Sequence, residues 1–247
     1  MRIFLSLSIV LLLSSCQRQW HLAEVDPETY RLDRYNKIKD DPDINALIQP
    51  YKQELDAEMN EVIGQVESEL TKSRPESSLG NFIADLLAQK ASDCTGRQID
   101  FAAQNYGGIR VPAVAKGDIT RGKVYEIMPF ENMLSVLEVK GDIVNQLIQK
   151  MANSGGWPIS QDLSFTIQDD QAKNIQIHGE PLDMNKTYTI AIPDYVANGG
   201  DSCDFLIDQN RLDCGISIRD AIIKHITELT QNGETVKSDI TGRIKLN

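Results

Sequence analysis

One stretch constrains this chain more than any other. An apolar run from Thr187 to Ile192 leads straight into Pro193-Asp194-Tyr195-Val196-Ala197-Asn198-Gly199-Gly200-Asp201. The run has the composition of a buried strand. Asn198-Gly199-Gly200 then forces a tight reversal, because glycine tolerates positive φ and lets a ligand or a second backbone come close. Tyr195 offers a flat aromatic face before that turn and Asp201 a carboxylate after it. The pair suits a stacking platform with a hydroxyl clamp, and it equally suits an ordinary turn with solvated ends. Taken alone, the stretch leaves both readings open.

The ends and the charge bound the rest. Arg2 followed by the apolar run Ile3 to Leu13 reads as an export signal, since the run is too short to span a membrane as a mature helix. Leu13-Ser14-Ser15-Cys16 resembles a bacterial lipobox, which implies cleavage before Cys16 and lipid on that cysteine. Gln17, not aspartate, follows it, which points to an outer-membrane address facing the periplasm or the exterior. The expected division is a signal peptide at 1–15, a tether at 16–42 and one domain at 43–247. Trp20, Tyr30 and Tyr35 suggest that part of the tether packs down. A net charge of −11 with no basic patch excludes a binder of polymeric nucleic acid, but leaves room for a small anion met by one or two arginines. An exported chain meets an oxidising compartment. Cys203 and Cys214 flank a stretch suited to a hairpin and are the expected disulfide, with Cys94 left over. No C-x-x-C spacing occurs and His21, His178 and His225 are scattered, so no metal site is expected in the chain.

Periodicity supplies the elements. Ile44, Leu47, Ile48, Tyr51, Leu55 and Met59 recur at helical spacing from Asp43 to Met59, with Pro50 starting a new segment or kinking the helix. Glu61 to Leu70 alternates as a strand. Ser77 or Ser78 caps a helix whose buried stripe holds Phe82, Ile83, Leu86, Leu87 and Ala91. Gln98 to Ala103 reads as a strand that delivers Asn105 to Arg110 into a glycine-rich loop. A short unit at Gly117 to Thr120 precedes a helical turn near Lys123 to Ile127. Met133 to Val139 is a strand, and Gly141-Asp142 caps a helix to about Met151. After the loop Ser154-Gly155-Gly156-Trp157-Pro158, strands follow at Leu163–Gln168, Ile175–His178 and Thr187–Ile192. A helix from Ser217 to Thr230 and a closing strand at Ile240–Leu246 complete the chain. Strands and helices mingle without regular alternation, so the fold expected is α+β: a single domain of mixed or antiparallel sheet with packed helices.

Further stretches stand in order around the first: Ser78-Leu79-Gly80-Asn81-Phe82-Ile83-Ala84-Asp85, Asn105-Tyr106-Gly107-Gly108-Ile109-Arg110, Gly117-Asp118-Ile119-Thr120, Pro129-Phe130-Glu131-Asn132 and Thr241-Gly242-Arg243-Ile244. In this order and spacing the set resembles the C-terminal domain of the 5′-nucleotidase/UDP-sugar hydrolase family, over about residues 45 to 247. That resemblance implies a domain that binds substrate and does not break bonds. Phe130 and Tyr195 match the aromatic positions that sandwich the base, and Asp201 matches the aspartate that takes the ribose hydroxyls. Asn105 matches an asparagine in contact with the nucleoside, and Arg110 an arginine facing ribose and phosphate. Gly107, Gly108, Asn198 and Gly200 belong to the same motifs. Arg74 is the counterpart of a further arginine, one residue out of register. Ile159-Ser160-Gln161-Asp162-Leu163 replaces the Ser-Gly pair usual in the family, which leaves base preference open.

In the family a separate N-terminal domain holds two divalent metals and hydrolyses the phosphate ester. This sequence has no D-x-H, no G-N-H-[DE] and no G-x-S-x-G, so no catalytic residue and no cofactor is expected in it. The first reading is the nucleotide- or nucleoside-binding half of a 5′-nucleotidase, positioning substrate for an exported metallophosphatase domain on another chain. The alternatives are a stand-alone nucleoside- or nucleotide-binding lipoprotein, and a scaffold that has lost its site. A neighbouring gene for an exported metallophosphatase favours the first.

Overall fold

The computed structural model describes residue 29 and residues 40–247. The expected signal peptide, Cys16 and, residue 29 apart, the tether up to residue 39 lie outside the described residues. The chain divides into two units, residues 1–48 and Gln49–Asn247. Helix α1 (Pro42–Met59) begins in the first and ends in the second, and Pro50 lies inside it instead of opening a new segment. Its start is fixed by the Asp41 carboxylate, which accepts the backbone N–H groups of Asp43 and Ile44. No residue of α1 is buried, although its apolar residues keep helical spacing.

The second unit continues with strands β1 (Val62–Val66) and β2 (Leu70–Thr71), helix α2 (Ser78–Thr95), and strands β3 (Phe101–Ala102), β4 (Ala113–Val114) and β5 (Gly117–Thr120). Helix α3 (Arg121–Ile127), strand β6 (Met133–Lys140) and helix α4 (Gly141–Asn153) follow. Then come β7 (Leu163–Gln168), β8 (Gln171–Ile177), β9 (Glu180–Pro181), β10 (Thr187–Pro193), the single-turn helix α5 (Asp194–Ala197), β11 (Asn210–Ser217), α6 (Ile218–Gln231) and β12 (Ile244–Leu246). The unit is α+β with mixed sheets, as the sequence implies.

Its frame is a four-stranded sheet in the order β11-β6-β10-β3. Strand β6 is antiparallel to both neighbours, whereas β3 runs parallel to β10, with Ile190 opposite Phe101 and Ala191 opposite Ala102. Side chains alternate between two cores because strand periodicity is two. Leu134, Val136 and Ala191 enter one core, which Ile83 and Leu87 of α2 and Ile222 and Ile226 of α6 close. Leu137, Val139, Ile190 and Ile192 enter the other, closed by Leu147 and Met151 of α4 and by Leu163 and Phe165 of a second sheet, β12-β7-β8-β9. A sheet covered on both faces reads as near-continuous apolar sequence, which is why β6 and β10 are the most legible strands.

Local chemistry ends the elements where it does. Ser77 is the cap of α2, its Oγ accepting the Gly80 N–H at 3.1 Å, and Ser217 does the same for α6 through Asp220. The β7–β8 hairpin turns on Asp169-Asp170, both left-handed at φ 50° and 58°, as a two-residue loop matching strand twist requires. Arg243 ties the C-terminal strand down: its guanidinium makes a paired contact with Asp85 of α2 at 2.8 and 2.7 Å and donates to the Ile159 carbonyl. Other expectations need correction. The strand expected over Glu61 to Leu70 is broken into β1 and β2, and α4 has Lys140 at its cap position with no side-chain cap bond.

The expected Cys203–Cys214 disulfide is also wrong. Cys214 is bonded to Cys94, their Cα atoms 5.7 Å apart, and Cys203 is a free, buried thiol. The physical reason is the sheet. Residues 210–217 form β11, paired with β6, and Cys214 packs on the core that α2 closes, where Cys94 sits in the last turn of that helix. Cys203 lies in the other core, and burial pushes its thiol up to about 11.

Two expectations follow from this architecture. Cys214→Ser should cost about 2–5 kcal/mol, as removal of a native disulfide usually does. Non-reducing peptide mapping should join the Cys94 and Cys214 peptides; a Cys203–Cys214 peptide would contradict the pairing. The second concerns His225, whose pKa is lowered from 6.5 by burial and then by the neighbouring Lys90. The unfolded chain takes up this proton more readily than the folded one. The contribution is therefore present above pH about 6.5 and lost as pH falls below it. Thermal unfolding between pH about 7 and about 5 should show that loss, and His225→Phe should flatten it; an unchanged slope would sink the assignment.

Candidate functional site

Topology brings distant sequence together at one edge of the central sheet. Because β3 and β10 are parallel neighbours, their C-terminal ends open on the same side, and β6, being antiparallel, is entered from there, with Leu134 opposite Pro193. The loops 104–110, 129–132 and 193–202 therefore meet. The carboxyl ends of parallel strands are a recurrent place for ligand crevices. Here the loops enclose a cavity of about 330 Å³ lined by Asn105, Gly107, Gly108, Arg110, Phe130, Asn132, Tyr195 and Asp201.

Asp201 is its most constrained residue. Asn105 Nδ2 donates to Asp201 Oδ2 at 2.8 Å, and the Tyr195 hydroxyl donates to Oδ1 at 3.3 Å while accepting the Asp201 backbone N–H. Asp201 and Ser202 are both left-handed, at φ 53° and 62°, a conformation rare outside glycine and tolerated best by Asp and Asn. Gly200 is required next to them: a Cβ there would lie 2.5 Å from Tyr195 Cε1 and from the Tyr195 carbonyl oxygen. The Tyr195 ring thus rests on bare backbone, and α5, a single turn that the sequence does not announce, sets its position.

Both rings are available to a ligand. Phe130 is 43% exposed and Tyr195 44%, high values for large aromatic side chains in a folded unit, so neither is a core ring. The Phe130 loop is held from below by buried Arg219, which bonds Glu131 Oε1 at 2.6 Å, and by the Ile218 N–H donated to the Asn132 carbonyl. The Arg110 guanidinium lies 5.6 Å from the Phe130 ring centre, within cation–π range, and donates to the Gly107 carbonyl at 3.3 Å. Lys72 and Arg74 each stand 4.0 Å from the Tyr106 ring centre. Burial, then Arg110 and Arg74, lowers the pKa of Lys72.

The structure thus brings together Asn105, Gly107, Gly108, Arg110, Phe130, Tyr195 and Asp201. Gly200 lies beneath the Tyr195 ring, not in the wall. Asn198 is turned away, its Oδ1 accepting from Arg211 at 2.7 Å. Arg74 lines an adjoining depression that shares Gly107 and Asp201 with the cavity. Two residues escaped the sequence reading of the site. Asn132 lines the wall. Gln104, wholly buried, donates from Nε2 to Asn105 Oδ1 at 2.8 Å and so turns the Asn105 amide to present its N–H to Asp201. Gln104 ends the apolar run Phe101-Ala102-Ala103, and nothing in the sequence marks it apart from any other strand terminus. Among the described residues no group of three or more His, Cys, Asp or Glu side chains converges as a metal centre demands, so the donor set does not fit a two-metal site.

Comparison with known proteins gives a consistent picture. The family model for the 5′-nucleotidase C-terminal domain matches residues 61–207. A 5′-nucleotidase of Vibrio cholerae is 28% identical over 194 residues, 75% of this chain and 34% of that protein. The protein UshA of Yersinia enterocolitica is 31% identical over 186 residues, 72% of this chain and 33% of its own length. This chain thus spans about a third of the curated relatives it matches. Among solved structures, a 5′-nucleotidase precursor from Thermus thermophilus aligns with TM-score 0.71 at 29% identity, covering 82% of this chain and 42% of that one.

Gly200→Ala tests the geometry directly. The added methyl must displace the Tyr195 ring or its backbone, so the variant should lose about 1–3 kcal/mol of stability in denaturant unfolding, the usual cost of overpacking. Unchanged stability would show that the ring does not rest on Gly200.

Proposed function

This chain belongs to the family of 5′-nucleotidase C-terminal domains, and from that membership we propose that it binds a nucleoside or nucleotide in the cavity between Phe130, Tyr195 and Asp201. The observation that carries the reading is the held carboxylate. An ionised carboxylate offers about four acceptor positions, and Asn105 and Tyr195 occupy two. The remaining lone pairs suit the vicinal 2′ and 3′ hydroxyls of a ribose, a charge-assisted pair of bonds. The exposed faces of Phe130 and Tyr195 suit the base, since stacking accepts any base and contributes about 1–3 kcal/mol each. Arg110 supplies a planar guanidinium for a phosphate on the 5′ side.

In this proposal the chain acts as the substrate-positioning half of a 5′-nucleotidase. The two divalent metals and the hydrolytic step belong to a metallophosphatase domain outside these residues, supplied by another exported chain. The lipobox-like Leu13 to Cys16 supports export and a lipid anchor on Cys16 for this half. The family places the metals in its other domain. The purified chain should therefore release no phosphate from AMP, with or without divalent metal; turnover that copurifies with it through every step would contradict the division of labour.

Calorimetric titration tests the binding. Asp201→Asn keeps a residue that tolerates the left-handed backbone but removes the charge. It should weaken adenosine by about 1.5–3 kcal/mol, the range for bonds to a charged group, and leave 2′,3′-dideoxyadenosine nearly unchanged. Equal weakening of both ligands would mean that the carboxylate only holds the loop.

A further inference from the structure

A groove of about 500 Å³, larger than the proposed nucleoside cavity, shares no residue with it. Gln98 and Ile99, which precede β3, line the groove, whereas Asn105, past the other end of β3, lines the nucleoside cavity. Its apolar residues include Leu86 of α2, Leu229 of α6 and Ile99. The segment from Glu234 to Ser238 also lines it, through every residue except the buried Val236.

That segment carries an unpaired strand edge. Val236 is joined to β1 as a parallel strand residue: its N–H donates to the Gln65 carbonyl at 2.8 Å, and its carbonyl accepts the Glu67 N–H at 2.9 Å. In extended backbone a residue's N–H and C=O point to one side and those of its neighbours to the other. The N–H and C=O groups of Thr235 and Lys237 therefore point away from β1. Among the described residues none of these groups has a hydrogen-bond partner. The small β1–β5 sheet thus gains a third strand position at Val236 and ends there on a free edge whose residues line the groove. Backbone groups left open in this way are a template for another strand.

Charge narrows what can pair there. Glu234 and Asp162 line the groove, and Glu67 accepts from the Thr235 hydroxyl at 3.2 Å; Lys237 is the one ammonium in the lining. Asp85, also in the lining, is already paired with Arg243. His225 adds no charge near neutral pH, because burial and then Lys90 lower its pKa. On a chain of net charge −11, the groove therefore favours cations over anions. We propose that it receives an extended peptide segment of another polypeptide, added as a strand along Thr235 to Ser238, in which basic side chains alternate with apolar ones. Its backbone pairs with Thr235 and Lys237, its apolar side chains meet Leu86, Ile99 and Leu229, and its cations meet Glu67, Asp162 and Glu234. The groove and the nucleoside cavity share no residue, so either assignment can fail alone.

The test titrates the full chain, followed by amide NMR, with the probe acetyl-Val-Lys-Val-Lys-Val-amide. On binding, the Thr235 and Lys237 N–H resonances should shift and exchange more slowly, while that of Val236, already bonded to Gln65, changes little. Two analogues carry N-methyl groups, one on its Lys nitrogens and the other on its Val nitrogens. Only alternate amides of a paired strand face the edge, so one analogue should bind about 10-fold or more weakly and the other should keep its affinity. Glu234→Lys should weaken the probe several-fold and favour the version with Glu in place of each Lys. No saturable binding, binding that both analogues keep or both lose, or shifts that bypass Thr235 and Lys237 would overturn the strand addition.

Discussion

The Asp201 carboxylate, held at once by Asn105 and Tyr195, is the interaction on which the rest of the site depends. It joins loops that lie 96 residues apart in sequence. Left-handed backbone at Asp201 and Ser202 costs on the order of 1–3 kcal/mol per residue, and such strain persists only where its surroundings enforce it. Here the bonds from Asn105 and Tyr195 and the close seat of the ring on Gly200 supply that enforcement. Gln104 extends the arrangement inward, because its bond to Asn105 Oδ1 leaves only one orientation for the amide that reaches Asp201. The result is a carboxylate placed before any ligand arrives, with little ordering left to be done on binding.

That placement is possible because of one topological fact. Strands β3 and β10 are adjacent and parallel although residues 103–186 separate them in sequence. Their ends, and the start of β6, share an edge only in this arrangement. The two cores hold it: α2 and α6 cover one face, α4 and the second sheet the other. Covalent and ionic ties add to this, Cys94–Cys214 joining α2 to β11 and buried Arg243 joining the C-terminal strand to α2. Each ends on α2, the helix that follows Arg74 in sequence.

How much of this is legible in the sequence follows from which signals are local. The buried strands β6 and β10 and the capped helices α2 and α6 carry their own apolar periods or caps, and they appear where the sequence puts them. Strand β11 does not, because Asn210, Arg211 and Asp213 make it polar and its edge position leaves it largely exposed. Missing β11 is what misdirects the cysteine pairing: without knowing which face of the sheet carries Cys214, nearness in sequence favours Cys203. At the site, Phe130, Tyr195 and Asp201 are readable because aromatic and glycine-flanked positions stand out. Gln104 is not, since a lone amide at the end of an apolar strand looks like any strand terminus. Asn198 is misplaced for a related reason: its motif is local, but its partner Arg211 comes from the strand that the sequence conceals.

The central claim is that Phe130, Tyr195 and Asp201 converge on one nucleoside. A crystal structure of the chain soaked with AMP measures this most directly. The account predicts the purine against the Phe130 and Tyr195 rings, with both ribose hydroxyls within about 3 Å of the Asp201 carboxylate, ordinary hydrogen-bond distance. AMP bound elsewhere, or bound here with its ribose turned away from Asp201, would contradict it.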